Sequence, residues 1–321
     1  MALADIIGQN KAIGLLTGIL ERKRLAGSYI FSGESGIGKK LAAVNFAKAL
    51  NCLGSGRGSE FPVECCDHCE SCLKIDHSGH PDLLLISPED RLIKIDEIRL
   101  VEDALSLRPF EGRKKIVIVN DADTMNISSA NALLKTLEEP PEDSVIILIS
   151  SRPDRLPATI RSRCSRVNFV TLSVESCKEV LRGKVPDEGL EALARLSMGK
   201  PGLAASVDLR EETEWFSSLL KAMLNAEKDS WASREEMDRW FEYLLALMRD
   251  AAVFRVTGKT DKLINADLSG SACKIGKSME LPVIIEMHKE LAHLKELLMF
   301  NLNKSITWNY TGAFLRKGLV G

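Results

Sequence analysis

Gly33-Glu34-Ser35-Gly36-Ile37-Gly38-Lys39-Lys40 decides how the rest of this chain is read. It follows the phosphate-loop pattern G-x-x-x-x-G-K-[ST] at every position but the last. Gly33, Gly36 and Gly38 let backbone N–H groups curl around phosphate oxygens, and Lys39 stands where a lysine reaches the β- and γ-phosphates. The final position should carry a hydroxyl for Mg²⁺. It holds Lys40, a cation with no lone pair to offer a metal. The loop reads as a phosphate cradle whose metal site is damaged.

Outward from the loop, Ser28–Ser32 is a short apolar strand, and the segment from Lys39 to Leu50 carries a helical pattern. Strand, loop and helix in that order are the setting a phosphate loop requires. A helical stripe (Ile13, Leu16, Ile19, Leu20) precedes them. Beyond them, Asp82–Ser87, Lys115–Val119 and Ser144–Ser150 read as three more buried strands. Helices over Asp96–Leu107, opened by an acidic cap, and Ile127–Glu139, capped by Asn126 and stopped by Pro140-Pro141, alternate with them. This alternation predicts a doubly wound α/β parallel sheet with ligands at the strand carboxyl ends. After about Val170 only helical patterns remain. Three are short, over Val174–Leu181, Asp187–Ser197 and Pro201–Val207. Longer ones follow, over Glu211–Ala226, Trp231–Val256, Pro282–Asn303 and Ile306–Leu319, while the glycine-bearing interval Thr257–Met279 reads as a loop. Trp215, Trp240 and Trp308 on these helices read as core residues.

With 321 residues, 45% apolar and 27% charged, the chain has the composition of a multidomain globular protein. A formal charge of −2 advertises no nucleic acid or anionic membrane as a direct partner of the whole surface. No basic, apolar leader opens the chain and no window approaches the roughly 18 apolar residues of a membrane span, so a cytoplasmic protein is expected.

Three further constellations bear on chemistry. A nucleotide-hydrolysing site would end the Lys115–Val119 strand in Asp-Glu, for magnesium and for the attacking water; this chain has Asn120-Asp121, followed by Ala122-Asp123. An amide is a poor ligand for a hard cation. Lys40 and Asn120 thus both act against the same ion. Cys66, Cys69 and Cys72 stand at x₂ spacing with Cys52 upstream, on a glycine- and serine-rich excursion at Gly54–Ser59. That donor set suits a closed structural zinc site, with Cys65, His68 and His77 as competing neighbours and a redox pair as the other use of so many thiols. Lastly, Arg163 ends a short helix begun by Pro157. A guanidinium there can be a surface ion pair or can fork a γ-phosphate, in its own site or a neighbour's.

Taken together, Ile7-Gly8-Gln9, Phe31-Ser32-Gly33, the inserted cysteines, Asn131 to Pro141 (NALLKTLEEPP) and Leu156 to Cys164 (LPATIRSRC) resemble the bacterial clamp-loader subunits of DNA polymerase III, in the AAA+ family. The likeness is strong over residues 1–170, moderate over 171–210, and rests on helix length and order beyond. It implies an AAA+ phosphate-loop module at 1–170 with a zinc insertion at 52–72, a helical lid at 171–210 and a helical collar at 211–321. It also implies a ring of five subunits, with gamma/tau and delta as neighbours, that opens a sliding clamp onto primed DNA, away from membranes. By the resemblance, Arg163 is an arginine finger reaching the ATP of the adjacent subunit.

The ATPase subunits of that family carry Thr after the loop lysine, Asp-Glu at the strand end and a lid arginine. Here stand Lys40, Asn120-Asp121 and the arginine-free Gly199-Lys200-Pro201-Gly202-Leu203-Ala204. Those departures resemble the branch that keeps the fold and the finger and has lost the motor. The reading is a largely non-hydrolysing stator carrying structural zinc, with ATP and Mg²⁺ possible at the loop but not turned over. The alternative is an active clamp-loader ATPase in which waters replace the lost magnesium ligands.

Overall fold

The computed structural model describes residues 2–54, 62–88, 92–204, 209–229, 231–260, 262–265, 268–300 and 302–319. The expected excursion at Gly54–Ser59 and the end of the Pro201–Val207 helix fall largely outside them. The chain divides into two compact units, Met1–Val180 with Gly199–Leu203, and Leu181–Met198 with Ala204–Gly321.

In the first unit, β1 (Ser28–Ser32), β2 (Leu83–Ile86), β3 (Lys115–Val119), β4 (Ser144–Ser150) and β5 (Ser165–Asn168) form a parallel sheet in the order β2-β3-β4-β1-β5. The central strands are apolar on both faces because helices cover both, and β4 is buried along its whole length. The register places Ile30 beside Leu148 on one side and Arg166 on the other, and Val117 beside Ile146. The order reverses at β1 and β4, so their carboxyl ends open the crevice where such sheets hold ligands. Helices α1 (Asn10–Arg22), α2 (Lys39–Asn51), α4 (Ile95–Ser106), α5 (Ile127–Glu138) and α6 (Ala158–Arg163) connect or flank these strands. Between α2 and α4 the cysteine segment contributes a seven-residue helix, α3 (Glu70–Asp76).

Two local expectations are corrected in this unit. The sheet has a fifth strand, at an edge: Ser165-Arg166-Val167-Asn168 is mostly polar, with Val167 buried and the other three residues exposed. At α4 the cap is Lys94 rather than an aspartate, and the Glu97 carboxylate accepts the Lys94 N–H at 2.5 Å. The cap expected of Asn126 is present, with its side-chain oxygen taking the Ser129 N–H at 2.8 Å.

Past β5 come α7 (Val174–Leu181), α8 (Asp187–Leu196) and α9 (Pro201–Ala204), then α10 (Leu209–Leu224), α11 (Arg234–Thr257), α12 (Ser269–Ser278), α13 (Leu281–Leu297) and α14 (Lys304–Leu319). The core formed by α10 to α14 centres on Trp231, Trp240 and Trp308, whose rings meet edge to face at 4.9 and 5.5 Å between centroids. Trp215 is half-buried instead. Its Nε1 donates to Glu236, and the Arg239 guanidinium lies 4.2 Å over its ring. Within the expected loop at Thr257–Met279 lies the helix α12, over Ser269–Ser278. Gly276 marks close packing, since a Cβ there would stand 2.8 Å from the Ala251 carbonyl of α11, whereas Gly270 faces open space. Among the described residues no helix is long and apolar enough to cross a membrane.

Candidate functional site

The phosphate loop leaves β1 and enters α2 as expected, with Gly33 and Gly36 at φ +144° and +76°. Neither position admits another residue, since a Cβ on Gly33 would stand 2.5 Å from the Phe169 carbonyl. Lys39 is buried and its ammonium donates to the carbonyls of Gly33 and Glu34. Burial pulls its pKa below the usual lysine value, while the charges of Asp121, Asp123 and Glu34 oppose that shift. Two other groups hold the loop carbonyls. The buried Gln9 amide donates to Ile37 at 3.1 Å and to Val170 at 2.7 Å, and its oxygen accepts the Val170 N–H. From α9, the Gly202 N–H donates to the Gly36 carbonyl at 2.9 Å. A cleft of about 360 Å³ opens beside the loop, lined by Ser32, Gly33, Glu34, Ser151, Arg166 and Asn168 among others.

At the end of β3, the Asn120 amide donates to Asp121 Oδ2 at 2.8 Å, which occupies the oxygen of the one carboxylate nearest to it. Asp121 sits at φ +48°. Burial and the neighbouring Asp123 raise its pKa, against the lowering pull of Lys39 and Lys40. Asp123 is tied down: its carboxylate accepts from Ser150 Oγ at 2.7 Å and the Ser151 N–H at 3.0 Å, joining the ends of β3 and β4. The site therefore offers a magnesium ion an amide, a carboxylate that is already hydrogen-bonded, and an ammonium in place of a hydroxyl. These residues do not fit a catalytic metal.

Arg163 closes α6, which the fully buried Ile160 anchors. Ser28 Oγ donates to the Arg163 carbonyl at 2.9 Å, fixing its backbone to the start of β1. The guanidinium donates to the Thr159 carbonyl at 2.9 Å and to Glu138 Oε1 at 2.5 Å. Arg161, two residues earlier, pairs with Asp154.

The sulfurs of Cys52, Cys66, Cys69 and Cys72 all lie within 4.8 Å of one another. A tetrahedral zinc with bonds of ~2.3 Å sets its sulfurs ~3.8 Å apart, so four soft donors on this scale fit one ion with no open position. Burial acts against ionisation of Cys66, but the backbone N–H groups of His68 and Cys69 together with the Cys52 and Cys69 side chains outweigh it and bring the thiol down to about 6. Cys65 stays outside the cluster, its Sγ directed to Asp67 at 3.3 Å, and burial pushes its thiol up to about 12. His68 faces the Cys66 carbonyl.

The cluster is bolted to α2 by Lys48, buried to 1% side-chain exposure, which pairs with Asp67 and with Asp76 at 2.8 Å. Lys48→Met should destabilise the fold by about 2 kcal/mol. Breaking a buried pair costs about 3–5 kcal/mol, and partial exposure of the two carboxylates reduces that. A urea midpoint equal to wild type would contradict this.

Comparison with known proteins adds to this geometry. A family model described as "DNA polymerase III, delta subunit" matches residues 8–173. DNA polymerase III subunit tau of Bacillus subtilis is 36% identical over 173 residues, but the match covers 54% of this chain and 30% of that protein. DNA polymerase III subunit delta' of B. subtilis is 31% identical over 278 residues, 81% of this chain and 82% of that protein. The chain belongs to the delta-prime family. A second delta-prime relative, from Pseudomonas aeruginosa, is 30% identical over 253 residues, 77% of this chain and 75% of that protein. The two delta-prime matches span 81% and 77% of this chain, against 54% for the tau match. The five-stranded parallel sheet with its loop after β1 and the all-helical C-terminal region are the AAA+ architecture expected of the delta-prime family.

Sequence reading missed Gln9, Gly202 against Gly36, the Asp123–Ser150 tie, Lys48 and Glu138. Each acts through a partner far away in the chain. Glu138 and Gln9 carried local signals, in the Leu137-Glu138-Glu139-Pro140-Pro141 run and in Ile7-Gly8-Gln9.

Proposed function

We propose that this chain is the delta-prime subunit of a DNA polymerase III clamp loader, a largely non-hydrolysing stator that helps place a sliding clamp on primed DNA in the cytoplasm. One observation carries the reading: Lys40 and Asn120 both disable the metal position of a loop that is otherwise intact, while Arg163 remains held at the edge of the same unit. Residues 1–170 act as the AAA+ module, 171–210 as a lid and 211–321 as a collar joining gamma/tau and delta in a ring of five. Arg163 is offered in trans to a neighbour's ATP, where a guanidinium can stabilise charge developing on the transferred phosphoryl group. Cys52, Cys66, Cys69 and Cys72 hold one structural zinc. Gly33, Gly36, Gly38 and Lys39 form an inherited phosphate cradle, and Asn120 and Asp121 a disabled metal-binding end.

The purified chain should release no phosphate from ATP in the presence of Mg²⁺ beyond a Lys39→Ala control. Metal-dependent turnover above that control would replace this reading with an ATPase of the gamma/tau type.

A further inference from the structure

The contact between Arg163 and Glu138 carries an inference that rests on the finger reading above. Both residues spring from fixed points. Arg163 is pinned by the Ser28 hydroxyl at its carbonyl and by the buried Ile160 in the same helix. Glu138 is the last residue of α5, and two residues later Pro140 packs on Gly27 so closely that a Cβ there would stand 2.4 Å from the proline ring. Gly27 and Ser28 are adjacent, so the α5 and α6 ends are both referenced to the start of β1.

Between these anchors the guanidinium is gripped at both Nη atoms: Nη1 by the Thr159 carbonyl at 2.9 Å, Nη2 by Glu138 Oε1 at 2.5 Å. Among the described residues Nε has no acceptor, so part of the fork is unspent by its own chain. The pair does little for stability: Arg163 and Glu138 are 34% and 50% exposed, a setting in which ion pairs are worth about 0–1 kcal/mol.

We propose that Glu138 is a positioning residue that orients Arg163 toward the neighbouring subunit's nucleotide. A free arginine side chain carries about 2 kcal/mol of rotamer entropy, and two fixed acceptors remove much of that before the neighbour arrives. A pure charge argument gives the opposite sign. A carboxylate partly cancels the guanidinium charge, so on that view deleting Glu138 would speed hydrolysis next door. The direction of change separates the two.

The test uses the complete clamp loader reconstituted with primed DNA and clamp, comparing Glu138→Ala, Glu138→Gln and Arg163→Ala. Glu138→Ala should lower kcat for ATP at the served site by about tenfold, the rate equivalent of roughly 1.4 kcal/mol, with KM within about twofold of wild type. Glu138→Gln should restore most of the rate, because its amide oxygen still accepts from Nη2. Unfolding midpoints of all three should match wild type. A Glu138→Ala rate equal to or above wild type, a KM effect without a kcat effect, or a Gln variant as slow as Ala would overturn the positioning role and leave the finger standing. An Arg163→Ala complex at the wild-type rate would instead remove the finger reading, and this inference with it.

Discussion

In a reconstituted clamp loader, Arg163→Ala should slow ATP hydrolysis at the neighbouring site it serves by on the order of 10³-fold, the lower end of what an in-trans arginine contributes to phosphoryl transfer. That corresponds to about 4 kcal/mol of lost transition-state stabilisation. The effect belongs to one interface, so steady-state phosphate release by the whole complex should fall by at least that interface's share, and DNA stimulation should be blunted. Arg163→Lys should rescue poorly, because an ammonium is a point charge and cannot reproduce a planar fork. The fold should survive, since the side chain's main ion pair is half-exposed and the backbone anchors at Ser28 and Ile160 do not involve the guanidinium. The measurement is phosphate release with and without primed DNA and clamp, beside a thermal melt of the isolated variant. A wild-type rate in the complex would withdraw Arg163 from the neighbour's chemistry.

The second large effect is expected at the cysteines. Metal analysis should find about one zinc per chain, the count for a closed four-ligand site. Cys72→Ser, or prolonged chelation, should remove it and loosen residues 52–76. Structural zinc supplies about 10–16 kcal/mol in small zinc peptides. Even a fraction of that exceeds the 0.5–3 kcal/mol of an ordinary substitution. The damage should spread into α2, because Cys52 directly follows that helix. Within it, Lys48 pairs with Asp67 and Asp76, and the Asn51 side chain accepts the N–H groups of Arg113 and Lys114. Cys65→Ser should keep the metal, since Cys65 lies outside the sulfur cluster. Zinc content, protease resistance and melting temperature together decide the point. A metal-free chain with an unchanged melt would return these thiols to another use.

How much of this was legible depended on whether the signal was local. The three inner strands announced themselves because a strand covered on both faces is apolar throughout, as Lys115–Val119 and Ser144–Ser150 are nearly so, and the edge strand Leu83–Ile86 is an apolar run as well. Ser165–Asn168 did not, since three of its four residues are polar and exposed, which reads as loop composition. Gly270 and Gly276 suggested a break, yet they sit inside α12, and Gly276 is there so that α12 can approach α11. The clustering of Cys66, Cys69 and Cys72 was readable from x₂ spacing, with Cys52 joining them from upstream. The departures at Lys40 and Asn120 were readable because a motif fixes what should stand there. Gln9 acts on residues 28 and 161 positions away, and Arg163 is held by Glu138 from 25 positions back. No periodicity or motif spans such distances. Only folding brings those groups together.

The contact of Gly202 with Gly36 limits what can stand beside the phosphate loop. A Cβ at position 202 would stand 2.8 Å from the Gly36 carbonyl, so no side chain fits at 202 while the two backbones touch. Placing Thr at 40 and Asp at 120 would restore metal ligands and leave that backbone contact in place. Any side chain at position 202 would therefore need a different main-chain path beside the loop, which a single substitution does not supply.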